Sequence, residues 1–178
     1  MPATNQDSTV YISTGNPETY YNQTTLYKPG ELGKRFTALN GKRYQIVQND
    51  SASSGTASTV ANGLVYWTNQ AAYKVTPVAT DVLNLAVLNG VAGRSPNITV
   101  AGNYFAMQIA GTAVLVYGGT TTAGAVGGAV IGKATTLSDA NAVTANTAPT
   151  NKVVGWVTVA GTTNAITCNM VLDDEEVG

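Results

Sequence analysis

Ile166-Thr167-Cys168-Asn169-Met170-Val171-Leu172 places Ile166, Cys168, Met170 and Leu172 at every second position, with Thr167, Asn169 and Val171 between them. Successive side chains alternate sides only in an extended strand, so this period of two excludes a helix. Just upstream, Lys152 to Ala160 repeats the pattern. Val153, Gly155, Val157 and Val159 share one side, and Val154, Trp156 and Thr158 the other. Gly161-Thr162-Thr163-Asn164 joins the two runs as a turn, its residue types being those that tolerate tight backbone geometry.

Working outward, further strands follow at short intervals. Tyr44-Gln45-Ile46-Val47 is one. Gly63 to Thr68, a turn at Thr68-Asn69-Gln70, and Tyr73 to Thr76 before Pro77 read as a hairpin. Val82 to Val91 is an apolar run closing in a Gly90 to Gly93 turn region. Asn103 to Ala110 puts Phe105, Met107 and Ile109 on one face and Tyr104, Ala106 and Gln108 on the other, after which Gly111-Thr112 turns the chain into Ala113 to Tyr117. No segment sustains the i, i+3, i+4, i+7 pattern of a helix. The nearest is Leu137 to Asn146, where Ser138 is placed to cap a turn or two. The expectation is an all-β chain of roughly eight to ten short strands, a small antiparallel barrel or sandwich. Ser51 to Thr59 reads as a long flexible loop.

Residues 1–41 form a separate class. The first thirty positions are rich in Thr, Asn, Tyr and Pro and poor in aliphatic side chains, too little apolar area to offset the entropy of ordering. We expect an extended N-terminal arm over 1–41 and the β domain over 42–178. Tyr11, Tyr20, Tyr21 and Tyr27 are rigid, amphipathic anchors of the kind found in interfaces.

Only 11% of the 178 residues are charged, although 44% are hydrophobic. The surface is therefore built from Thr, Asn, Ser, Gln and Gly, and little like-charge repulsion keeps neighbours apart. Lys28, Lys34, Arg35, Lys42 and Arg43 gather in one stretch, while Asp173, Asp174, Glu175 and Glu176 sit together near the other end. Opposite clusters suggest that, in an assembly, the acidic segment meets the basic stretch of a neighbour. The net charge of −1 argues against a nucleic-acid partner.

The chemical toolkit is sparse. There is no His, which removes the commonest general base and metal ligand, and a single Cys, which removes internal disulfides and multi-Cys zinc sites. Cys168 has the inward phase of its strand and reads as a core residue. Gly127-Gly128-Ala129-Val130-Ile131-Gly132-Lys133 imitates a phosphate loop, but Ala134 stands where Ser or Thr must hold magnesium, so it reads as strand and turn. Neither a cofactor nor a metal is expected, and an enzyme is not. No 18-residue apolar block is present, so no membrane partner is expected. The polar start Met1 to Asp7 lacks the basic-then-apolar order of a secretory signal.

Four regions, Lys42 to Asn49, Gly63 to Thr76, Ala101 to Tyr117 and Lys152 to Leu172, together resemble one family, the recurring text being "LVYWTNQAAYKVT" (64–76), "AVLNGVAGRSPNITVAGNYFAMQIAGTAVLVYG" (86–118) and "NKVVGWVTVAGTTNAITCNMVLD" (151–173). They look like the head decoration, or cement, proteins of tailed bacteriophages. The resemblance implies a β domain, a homotrimer, and a place on the outer capsid surface of the virion after synthesis in the host cytoplasm. It implies the major capsid protein as partner. On that reading the Tyr-rich arm and the basic stretch make the capsid or subunit contacts. Two other classes compete: a head fibre or tail-tube subunit, and a carbohydrate-binding module stacking sugars on Trp67 and Trp156.

Overall fold

The structure, a computed structural model, describes residues 29–50, 58–78, 90–119, 124–133, 139–143, 149, 152–162 and 164–172. They form ten strands in one continuous sheet: β1 (Arg35–Thr37), β2 (Arg43–Asn49), β3 (Gly63–Asn69), β4 (Lys74–Thr76), β5 (Val91–Ser95), β6 (Tyr104–Val116), β7 (Ala129–Gly132), β8 (Ala140–Val143), β9 (Gly155–Val159) and β10 (Ala165–Val171). A three-residue 3-10 turn, Pro29–Glu31, is the only helical element among the described residues. The all-β expectation holds, and the architecture is a closed barrel with extra strands.

Closure follows from the pairing. The sheet runs β2-β4-β3-β5-β6, and β6 pairs again with β2, so five strands make a ring. The β2–β4 pair is parallel and the others antiparallel. Each strand of the ring sends apolar side chains inward: Val47, Val65, Val75, Ala92, and Phe105, Met107 and Ile109 from β6. The alternation read from Asn103 to Ala110 thus marks the barrel interior. Its other face is also covered, because Tyr104 and Ala106 pack with Tyr44, Ile46, Phe36 and Ala38.

At thirteen residues β6 is the longest strand. Its first half, Tyr104 to Ala110, pairs with β2, and its second half, Ala110 to Val116, pairs with β10. From there the sheet continues β10-β9-β7-β8. This outer sheet lays Ala113, Leu115, Val130, Val157, Ile166, Cys168 and Met170 over the outside of the barrel at Leu64, Tyr66 and Val91. The inward set predicted for residues 166–172 is buried throughout.

Several local expectations are corrected. Gly90 to Gly93 is not a turn: β5 begins at Val91, and Gly93 lies within it. A Cβ at Gly93 would come within 2.5 Å of Met107 Cγ and 2.6 Å of the Gln108 carbonyl oxygen. That glycine permits close backbone approach across the barrel wall. Gly111-Thr112 does not end a strand either. Gly111 adopts φ +91°, a region open to glycine, and β6 runs through it as the strand leaves β2 for β10. Within Leu137 to Asn146, residues 140–143 form a strand and not a helical turn: β8 pairs with β7 from Ala129↔Val143 to Gly132↔Ala140, and Ser138 lies outside the described residues. Gly132 ends β7, and the Lys133 ammonium that follows donates to the Gly118 carbonyl at 2.7 Å.

Of the arm assigned to 1–41, residues 29–41 are described. They carry β1, paired with β2 from Arg35↔Gln45 to Thr37↔Arg43, and the Phe36 ring stacks on Tyr44 at 5.5 Å. The apolar run over 82–89 and most of the 51–59 loop lie outside the described residues. Thr59, at the end of that loop, is fixed rather than flexible: its hydroxyl donates to the Asn97 carbonyl at 2.9 Å and accepts from the Thr99 amide at 2.7 Å.

Candidate functional site at the mouth of the barrel

The two ends of the barrel differ. One is sealed by neutral polar groups. Asn49 Nδ2 donates to the Thr99 carbonyl at 2.8 Å, and the Ser95 hydroxyl reaches both Thr59 Oγ1 at 2.9 Å and the Asn97 carbonyl at 2.7 Å. These groups are buried and hydrogen-bonded to one another.

The other end is open. Gln45 precedes Val47 by two positions on β2, Trp67 follows Val65 on β3, and Ile109 follows Met107 on β6, so all three extend the interior toward one rim. A cavity of about 260 Å³ lies there, lined by Arg35, Gln45, Trp67, Gln70, Ala92 and Ile109, with Gly90, Lys152 and Leu172 completing the wall. The lining brings together two cationic side chains, two amides and one indole. Among the described residues no acidic side chain, Cys or Ser lines it. Arg suits anionic oxygen as a planar donor fork and Lys as a point charge. Its volume takes one or two side chains.

The structure gathers some of the predicted contact residues here and scatters others. Arg35 enters the cavity wall, and the β1–β2 register places Arg43 on the same face as Arg35 and Gln45. Lys34 is exposed and Lys42 half-buried beside Gly111. Tyr11, Tyr20, Tyr21, Tyr27, Lys28 and the run Asp173 to Glu176 lie outside the described residues. Trp67 belongs to the barrel mouth, whereas Trp156 stands on the outward face of β9, 48% exposed. Sequence reading missed Gln45, Gln70 and Lys152 as cavity residues; only the fold brings positions so distant in the chain to one rim.

A second polar cluster is wholly internal. Arg94, 4% exposed, donates through Nη1 to Gln108 Oε1 and through Nη2 to Asn62 Oδ1. Gln108 Nε2 in turn donates to the carbonyls of Ala110, Gly111 and Thr112 at 3.2, 3.3 and 3.1 Å. The guanidinium thus anchors the amide that spans the β6 irregularity. Nearby, burial pushes the Cys168 thiol from 9.0 up to about 12, with Arg94 pulling it the other way. Burial, followed by the negative charge of Asp139, also holds the Tyr66 phenol well above its ordinary range.

Among the described residues no group of three or more His, Cys, Asp or Glu is placed to hold a metal, and no helix is long and apolar enough to cross a membrane. Comparison with protein-family models, with curated proteins and with solved structures found no match.

Proposed function

We propose that this chain is a structural virion protein that binds the outer capsid surface and stabilises a phage head, acting through contact and not through turnover. The observation that carries this reading is the outward face of β6, β10 and β9. Thr112, Asn169 and Trp156 form a row across the three strands, flanked by Val114 and Val171. Val114 is 43%, Val171 46% and Trp156 48% exposed, and no charged side chain stands on these strands. An open, uncharged sheet face centred on a Trp has the composition of an interface core. The resemblance of the strand segments to decoration proteins supplies the partner, the major capsid protein, and the oligomer, a homotrimer. A ligand that binds only the assembled shell stabilises it by mass action, and many copies with modest interfaces suffice.

The test is addition of the purified protein to capsids lacking minor proteins. Saturable binding with greater heat resistance of the shell is expected, and Trp156→Asp weakens that binding about tenfold or more while leaving the circular dichroism unchanged. Native mass spectrometry should give a trimer. Failure to bind any matured shell overturns the reading.

A further inference from the structure

We propose that Asn40 is a site of spontaneous deamidation, a modification that loosens β1 from the barrel. An Asn followed by Gly is the pair most open to this chemistry, because no Cβ keeps the following amide away from the side-chain carbonyl carbon. The chain holds three such pairs, Asn40-Gly41, Asn62-Gly63 and Asn89-Gly90, with Asn89 outside the described residues. Asn40 and Gly41 are both exposed at the tip of the β1–β2 turn, where Gly41 adopts φ +76° and a Cβ on it would meet nothing within 4 Å. Asn62 is half-buried. Its Oδ1 accepts from the Arg94 guanidinium, and its amide donates to the Ser95 carbonyl at 2.8 Å. The Gly63 amide, buried at the start of β3, donates to the Val60 carbonyl at 2.9 Å. The fold locks one pair and displays the other.

The Lys42 amide donates to Asn40 Oδ1 at 3.0 Å and so draws electrons from the carbon to be attacked. Attack requires the Gly41 amide to release the Ala38 carbonyl, a bond of 2.9 Å in this exposed turn. The Gly41 nitrogen gives its proton to hydroxide and bonds to Asn40 Cγ, closing a cyclic imide. The Cγ–Nδ2 bond breaks, and Nδ2 leaves as ammonia with a proton taken from water. Water then opens the imide at either carbonyl, leaving aspartate or, where the backbone carbonyl is cut, isoaspartate. Isoaspartate adds a methylene to the backbone of a tight turn. The Ala38 amide donates to the Lys42 carbonyl at 3.0 Å across it, and the turn lies against β6: a Cβ on Gly111 would stand 3.2 Å from Lys42 Cα and 3.5 Å from the Gly41 carbonyl oxygen. The added length opens the Ala38–Lys42 closure, so β1 frays from that end and Phe36 and Ala38 lose their hold on Tyr44 and Ile46.

The test holds the full-length folded protein at mildly alkaline pH and samples it over days. Trypsin puts the three Asn-Gly pairs on separate peptides, 36–42, 44–74 and 75–94, and mass spectrometry with enzymatic methylation of isoaspartate reads each one. Asn40 should convert first and Asn62 at least about tenfold more slowly, the protection expected of a segment that must open to react. In urea the two should convert at similar rates. Hydrogen exchange at the Phe36 and Ala38 amides should rise in the converted protein. Freshly made Asn40→Asp, which carries the new charge without the extra methylene, should exchange as the unmodified protein does. Asn40→Gln should keep slow exchange through the same incubation. Conversion of Asn40 no faster than that of Asn62 in the folded chain overturns the site. Unaltered exchange at Phe36 and Ala38 after conversion overturns the loosening of β1.

Discussion

Cys168 keeps its proton because the folded chain surrounds it with Ile166, Met170 and the barrel wall. Its pKa is raised in the native state, so the unfolded chain loses that proton first as pH rises. Protons are then bound more by the native state than by the unfolded one, and stability falls with increasing pH. The loss begins near 9, the ordinary thiol value, and is complete near the native value of about 12. We expect the urea midpoint to drop between pH 8 and pH 10, and to drop less in Cys168→Ala. Native protein should react with a thiol reagent only as fast as it unfolds. Arg94 gives a second expectation at this scale. Gln108→Leu strips the buried guanidinium of an acceptor and should cost about 3 kcal/mol. Adding Arg94→Met should recover part of that loss, as a double-mutant cycle in urea would show.

Among the elements, β5 and β6 depend on two glycines for different reasons. Gly93→Val drives a side chain into Met107 and the Gln108 backbone, where the barrel wall has no slack, and should cost about 1–3 kcal/mol by overpacking. Gly111→Ala forces an L side chain into the left-handed region at φ +91° and should cost about 1–3 kcal/mol. Both are read from the shift in the denaturation midpoint. The same two positions show what the amino-acid order reveals and what it hides. Alternation made β10 legible, because one of its faces lies in a core; it holds in β9 only from Gly155 to Thr158, since Val159 is exposed and Val154 buried, and in the first half of β6 both faces are covered, so there it separates two packed faces. Gly93 and Gly111 look like turn residues from local chemistry alone. Only the neighbouring strand shows that one marks close contact and the other a strand passing from one partner to the next. β8 was hidden for a similar reason: its Ala140 and Ala142 carry little strand preference and are held by pairing with β7. The cavity was partly legible, since Trp67 and the basic cluster stood out, but Lys152, far from Arg35 in the chain, joins it there only in the folded molecule.

For the whole molecule, the barrel and the outer sheet share one continuous strand and one apolar layer at Leu64, Tyr66 and Leu115. Neither can lose its packing without exposing the other. Calorimetry should therefore record a single transition whose van't Hoff and calorimetric enthalpies agree, and Leu115→Ala should lower its midpoint through a loss of about 2–5 kcal/mol. Two resolved transitions would refute this coupling. The shared strand has a mechanical meaning as well. A pull on the outer sheet travels along the backbone of β6 and meets the whole run of pairs from Arg43↔Ala110 to Gln48↔Tyr104 in shear. Hydrogen bonds stretched side by side must rupture together, whereas a hairpin peeled from its end unzips one bond at a time. A chain built this way resists tension applied across its outer face.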